Sequence, residues 1–276
     1  MTLRRAALAS AGAAFSATRR VLEDPRVVVR SPVVTNFRGA PVSLGGGPAA
    51  AAGVLAGGLA GAIASPSTAV PFVAVALSSG AAAAAGWYDD TRADRTRQAK
   101  GLRGHLGALA NGNVTTGALK LAVLSSGGYA AGRLMGKGRA DAMVRGALIA
   151  GSANLVNLLD LRPGRAAKAT IVSGTLVALA GGVGAPVAGA AVGAALGGLT
   201  RELAEDTMLG DTGANAIGAA LGVSLAASRF AVVRLTALAG VTALTLASER
   251  VSFSAVIDRT PHLRRIDAWG RRADAT

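Results

Sequence analysis

The chain has 276 residues, 51% of them hydrophobic and only 16% charged, against about 25% charged in an ordinary soluble domain. It carries a formal net charge of +14 and no cysteine, which excludes disulfides, iron–sulfur clusters and thiolate zinc sites. Its two histidines, His105 and His262, cannot build a zinc site alone, and a hard cation held by carboxylates stays open.

The apolar residues are mostly Ala, Val, Leu and Gly, and the mean hydropathy is +0.45. Small residues of this kind let membrane helices pack closely. Charges are clustered: Ala49 to Gly86 contains none, while Asp89 to Arg103 is dense with them. That block pattern is the signature of a polytopic membrane protein. The Lys and Arg residues lie between apolar stretches and do not form one soluble basic face. Retention on the cytoplasmic side and attraction to anionic lipid explain them, and no nucleic-acid partner is expected.

The first segment, Met1 to Arg20, reads basic, apolar, basic. Its apolar run is only about 12 residues against the roughly 20 that a span needs, so it reads as a weak first span or an interfacial helix. Eight clear spans follow: 48–64, 69–87, 114–133, 140–159, 169–183, 185–199, 215–228 and 231–246. Ser65-Pro66-Ser67-Thr68 and the Gly181-Gly182-Val183-Gly184 turn break the pattern between neighbours. The expectation is an all-α single membrane domain over 1–276 with about nine transmembrane helices. Residues 1–47 supply the weak helix and a basic loop, and 249–276 a C-terminal tail. Alternating direction puts loops 19–46, 88–113, 160–168, 201–211 and 249–276 on one side with most of the Arg and Lys, and that side is expected to be cytoplasmic. Gly57…Gly61 and Gly218…Gly222 read as helix-packing faces.

Five constellations lie on that side. Trp87-Tyr88-Asp89-Asp90-Thr91-Arg92-Ala93-Asp94 closes a charge-free span, and carboxylates gathered at a membrane boundary repel unless a cation joins them. A solvated loop with Asp–Arg pairs is the plain alternative. Asn154-x-x-Asn157-x-x-Asp160 draws a slanting polar stripe down the end of an apolar helix, facing a cavity or another helix. Gly210-Asp211-Thr212-Gly213 precedes another apolar helix, where Asp211 serves as an N-cap or meets a ligand approached closely by backbone. Thr35-Asn36-Phe37-Arg38-Gly39 leads to Gly45-Gly46-Gly47, either a phosphate-facing backbone run or a turn. Thr260-Pro261-His262-Leu263-Arg264-Arg265 offers a lone His and two Arg, for phosphate or lipid headgroups.

In this order the motifs resemble those of the polyprenyl-phosphate N-acetylhexosamine-1-phosphate transferases, relatives of phospho-MurNAc-pentapeptide translocase and of the GlcNAc-1-phosphate transferases of surface-glycan synthesis. The resemblance runs from about Thr35 to Trp269. Asp89-Asp90 resembles the family's aspartate pair, Asn154-x-x-Asn157-x-x-Asp160 its NxxNxxD element, Gly210-Asp211-x-Gly213 its GDxGS element, Arg38-Gly39-x-Pro41 its first cytoplasmic loop, and Thr260-Pro261-His262 its last loop. The resemblance implies transfer of a sugar-1-phosphate from a UDP-sugar to a polyprenyl phosphate at the cytoplasmic face of the plasma membrane, with release of UMP, for cell-wall or surface-glycan biogenesis. It implies Mg2+, or Mn2+ in its place, held by Asp211 and Asp90. It implies catalytic roles for Asp89, Asp90 and Asp160, and substrate contacts from Asn154, Asn157, Lys120, Arg38 and His262. The lipid bilayer is the expected surrounding, and a homodimer is left open. Leu161-Arg162-Pro163-Gly164 lacks the second acidic residue the family carries there. A non-catalytic relative that binds lipid phosphate or a partner enzyme is therefore the alternative expectation, with a small-solute transporter behind it.

Overall fold

The computed structural model describes residues 2–92 and 115–272. Asp94 and His105 fall outside these residues. Among the described residues there are twelve α-helices: α1 Leu3–Glu23, α2 Pro25–Arg30, α3 Gly46–Ala64, α4 Ala69–Thr91, α5 Thr116–Met135, α6 Arg139–Leu159, α7 Arg165–Ala180, α8 Ala185–Leu203, α9 Gly210–Ala226, α10 Ala231–Ser248, α11 Phe253–Arg259 and α12 Pro261–Ala268. A short ribbon of β1 Val33–Thr35 and β2 Pro41–Ser43 interrupts them.

Local chemistry sets the boundaries. The Thr115 hydroxyl accepts from the Ala118 N–H and starts α5. Asp24 caps α2, with Pro25 at its first turn. Gly164, with φ near +80°, supplies the left-handed residue that turns the chain from Asp160 into α7.

The expectation of nine spans is corrected to four. Among the described residues only α3, the Pro66–Thr91 segment containing α4, α6 and α10 are long and apolar enough to cross a membrane. The others fail for separate reasons. α7 has 16 residues and α9 has 17, short of the roughly 20 that a bilayer needs. α1 carries Arg4, Arg5, Arg19 and Arg20. α5 carries Lys120 and Arg133, and α8 ends on Arg201 and Glu202. α8 and α9 are buried along nearly their whole length, so neighbouring helices cover what their composition does not.

α1 is not among the helices apolar enough to span, and it is a packed member of the bundle. It lies between α3 and α8 along two rows of glycines at four-residue spacing. Gly189, Gly193 and Gly197 of α8 meet the carbonyls of Ala7, Ala11 and Phe15. On the other side Gly57 of α3 meets the Ser10 carbonyl and Ala14. Only a backbone without Cβ permits this approach. Gly218 and Gly222 of α9 meet α6 around Ala153 and Ile149 in the same way, so these glycine pairs are packing faces.

The 33–43 segment is a hairpin, not an open loop. Val34 pairs with Val42. The Asn36 side-chain oxygen accepts from the Arg38 and Ala40 N–H groups at 2.9 and 3.0 Å and closes its turn. Ser43 bridges to Thr207, and Asn36 donates to Glu205 at 2.7 Å. Gly46 and Gly47 then enter α3 packed against the backbone of Met208 and Leu209. The glycine run serves this close approach and is buried, which removes the phosphate-facing reading.

Candidate functional site

The hairpin, the 201–211 loop, the 160–165 loop and the tail all meet at the end of the bundle where α4 finishes. Asp90, in the last turn of α4, is 5% exposed. Its Oδ1 accepts the Asp211 N–H at 3.1 Å, and its Oδ2 accepts the Thr212 N–H at 2.9 Å and the Thr212 hydroxyl at 2.7 Å. A carboxylate from one helix thus holds the exposed N–H groups and positive dipole end of another. Gly86 lets α4 close on the Asp211 carbonyl, and Gly210 adopts φ near +59° against the Asp90 oxygens. Asn215 donates to the Asp211 carbonyl at 2.6 Å and fixes the same turn.

With its backbone held this way, the Asp211 side chain points to Lys120 of α5, where Nζ donates to Oδ2 at 2.9 Å. The same ammonium reaches Asp89 Oδ2 at 3.4 Å. Lys120 and Asp89 side chains are each 13% exposed and Asp211 24%. Two carboxylates from distant segments therefore converge on one cation at the helix ends.

These groups open into a cavity of about 800 Å³, which also takes in Asn154, Asn157 and Asp160 from α6. The amides of Asn154 and Asn157 make no hydrogen bond among the described residues and face the cavity. Both Asp160 carboxylate oxygens are buried without a hydrogen bond of ordinary geometry. Burial and the neighbouring Glu202 carboxylate push Asp160 well above the usual carboxylate range, and the nearby Gly210 N–H offsets only part of this. Such a group calls for a proton or a cation.

Away from these charges the cavity is mainly apolar, with Ser125 and Thr245 as polar exceptions. Gly117, Leu121 and Leu124 of α5 form one wall, Ala147, Ala150 and Gly151 of α6 another, and Leu246 of α10 a third. From Ala147 to Asp160 the corridor follows α6 for about 20 Å at 1.5 Å per residue.

Seven of the expected site residues meet here: Asp89, Asp90, Lys120, Asn154, Asn157, Asp160 and Asp211. Arg38 and His262 do not line the cavity. Arg38 pairs with Glu205 at 3.2 Å, donates to the Arg272 carbonyl at 2.8 Å and stacks on Phe37. His262 is exposed on α12. Sequence reading missed Thr212, which joins Asp90, and Thr245 and Glu249, which line the cavity from α10. Thr212 sits inside the Gly-Asp-Thr-Gly signature and was available as a signal. Thr245 and Glu249 carry none, because nothing in the sequence says which helix closes the third side.

No three Asp, Glu or His side chains converge as a ready-made metal cage among the described residues. Magnesium does not need one, since it takes one or two carboxylates and completes its shell with water and phosphate oxygens. The metal role expected of Asp90 passes to Asp89, because the Asp90 oxygens are committed to the Asp211 and Thr212 N–H groups; Asp211 and Asp89, with the Asp160 oxygens in the same cavity, fit that demand.

The Asp160 loop is clamped from behind. Glu202 accepts the Gly164 N–H at 2.8 Å. Arg162 is bidentate to Asp258 of α11 at 2.9 and 2.7 Å, and Arg165 to Asp267 of α12 at 2.7 and 3.2 Å. Burial raises the Asp267 pKa, but Arg165 and Arg271 outweigh it and hold the carboxyl below its ordinary 3.8. A depressed native pKa stabilises the docked tail above the unfolded value and loses that contribution as pH falls through the native one. Docking is therefore expected to be intact at neutral pH and to weaken as pH falls below the ordinary 3.8 toward the lowered native value. Asp267→Asn should loosen the tail at neutral pH, read as faster amide exchange over residues 253–272; unchanged exchange would show that the ion pairs do not hold it.

No protein-family model matches the chain, and no curated protein is similar enough to indicate kinship.

Proposed function

We propose that the protein transfers a sugar-1-phosphate from a UDP-sugar to a polyprenyl phosphate at the cytoplasmic face of the plasma membrane and releases UMP. One observation carries this reading: a single cavity joins a charged end of Asp, Asn and Lys side chains to an apolar corridor between candidate spans. A substrate with a phosphate head and a long hydrocarbon tail has that same division. The motif order noted above supports the choice of chemistry, and the cavity volume lies within the usual range for small-molecule sites.

In the proposed reaction an acceptor phosphate oxygen attacks the sugar-linked phosphorus, and the bond to the uridylyl phosphate breaks. The acceptor is already mostly ionised at neutral pH, so the main task is charge neutralisation and alignment. Lys120 offers its ammonium to the phosphates. Asn154 and Asn157 donate amide N–H groups into the cavity. Asp160 lies beside them as a buried acid. Asp90 works at one remove, by fixing the backbone that carries Asp211. Asp211 and Asp89 would hold magnesium, which would supply charge neutralisation between the two phosphates.

The purified protein in detergent with magnesium, a panel of UDP-sugars and polyprenyl phosphate should release UMP only when all three are present. Ala147→Phe, which narrows the corridor away from the charged end, should raise KM for polyprenyl phosphate roughly tenfold, the worth of a lost apolar contact, and leave that for the UDP-sugar unchanged. No UMP release with any donor would sink the proposal.

A further inference from the structure

The C-terminal tail segregates its charges. Its two acids in α11 and α12 face the protein: Asp258 holds Arg162, and Asp267 holds Arg165, with Arg271 at 3.2 Å. Lys168 donates to the Ile266, Asp267 and Trp269 carbonyls at 2.7 to 3.2 Å and closes the C-terminal end of α12. The basic residues Arg250, Arg259, Arg264 and Arg265 are exposed and make no ion pair among the described residues. Leu263, Ile266 and Trp269 follow at three-residue spacing and are 43%, 62% and 76% exposed. Apolar residues at that spacing share one face.

The position of this surface is set by α10. That helix is a candidate span, and Arg234 is its single buried residue among those described. Arg234 ties it to Asp141 at 2.8 Å, at the end far from the tail. The chain therefore leaves a lipid-facing helix at Ser248 and within a few residues enters α11 and α12. Unpaired arginines beside an exposed Trp, Ile and Leu, at the mouth of a span, match the interfacial zone of an anionic leaflet.

We infer that the tail, residues 249–272, is a lipid-surface element whose outer face binds anionic phospholipid headgroups, with Trp269, Ile266 and Leu263 inserted beneath them. It rests on the membrane-spanning helices and not on the transferase reading, so the two fail separately.

Trp269 reports on this directly once Trp87, the second of the two tryptophans, is replaced by Phe. The full-length Trp87→Phe protein is reconstituted into vesicles of phosphatidylcholine with or without phosphatidylglycerol. Emission is then quenched by iodide from water or by brominated acyl chains from the bilayer. The expected result is iodide quenching at least about twofold weaker, and bromolipid quenching correspondingly stronger, in the anionic vesicles. Arg259→Gln with Arg264→Gln and Arg265→Gln should abolish the difference, and the matching Lys substitutions should keep it. Trp269 open to iodide in both vesicles, or equally protected in both, overturns the proposal. So does the same protection in detergent micelles, which would mean that protein covers the ring.

Discussion

Asp211→Asn is expected to lower UMP release by about a thousandfold or more while the bundle stays folded. Asparagine keeps the shape of the side chain but cannot carry the charge that meets Lys120 and that magnesium would require. The fold should survive because the backbone of Asp211 is held by others: Asp90 accepts its N–H, and Asn215 donates to its carbonyl. Asp90→Ala makes the informative contrast. It removes three hydrogen bonds at the start of α9, each worth about 1.5–3 kcal/mol when the acceptor is charged. Thermal unfolding and UMP release on the same preparations separate the two. Asp211→Asn should change turnover and leave Tm alone, and Asp90→Ala should lower both. Full turnover in Asp211→Asn would remove the residue from the reaction.

Gly57→Leu is expected to damage the fold severely. Gly57 stands where α1, α3 and α8 meet. A Cβ there would lie 2.6 Å from the Ser10 carbonyl, 2.7 Å from Ala14 Cβ and 2.8 Å from Ala190 Cβ. Two of these contacts are methyl groups and one is backbone, so no flexible side chain can swing away. Overpacking of this kind costs about 3 kcal/mol or more, because the helices themselves must move. Thermal unfolding in detergent should show the loss, and protease should cut α1 first. Gly240→Leu is the control. A Cβ at Gly240 meets nothing within 4 Å, and α10 faces outward there, so the same enlargement should leave Tm unchanged or slightly raised. Equal behaviour of the two variants would mean that the three-helix contact is not a determinant of stability.

Gly57 stands four residues before Gly61, and Gly240 has no such glycine partner, so the sequence marks the first as a packing glycine; how many helices meet it, only the tertiary neighbours show. Tertiary neighbours also separate the two aspartates of the pair. Asp89 and Asp90 are adjacent in the chain and chemically identical, yet one faces Lys120 in the cavity and the other is committed to the amides of α9. Their division of roles follows from the 100° turn between consecutive residues of a helix, combined with where α9 begins. Arg38 and His262 were reasonable readings of basic residues near a phosphate-rich chemistry. Glu205 and the Arg272 carbonyl take Arg38, while His262 faces outward from a helix anchored by Asp267.

The amino-acid sequence alone determined the helical, apolar, charge-segregated character of the chain. It also determined the approximate limits of most helices and the common end at which the acidic, amide and basic motifs gather, because hydropathy and charge blocks are local properties. Only the tertiary structure decided which helices are enclosed by their neighbours and which stay exposed. It likewise decided that α1 is clasped between two glycine rows, and that Asp89, Asp211 and Lys120 form one cluster. Those outcomes depend on which surfaces meet. Contact between residues 31 and 91 positions apart is fixed by packing across the whole bundle, which no stretch of sequence records.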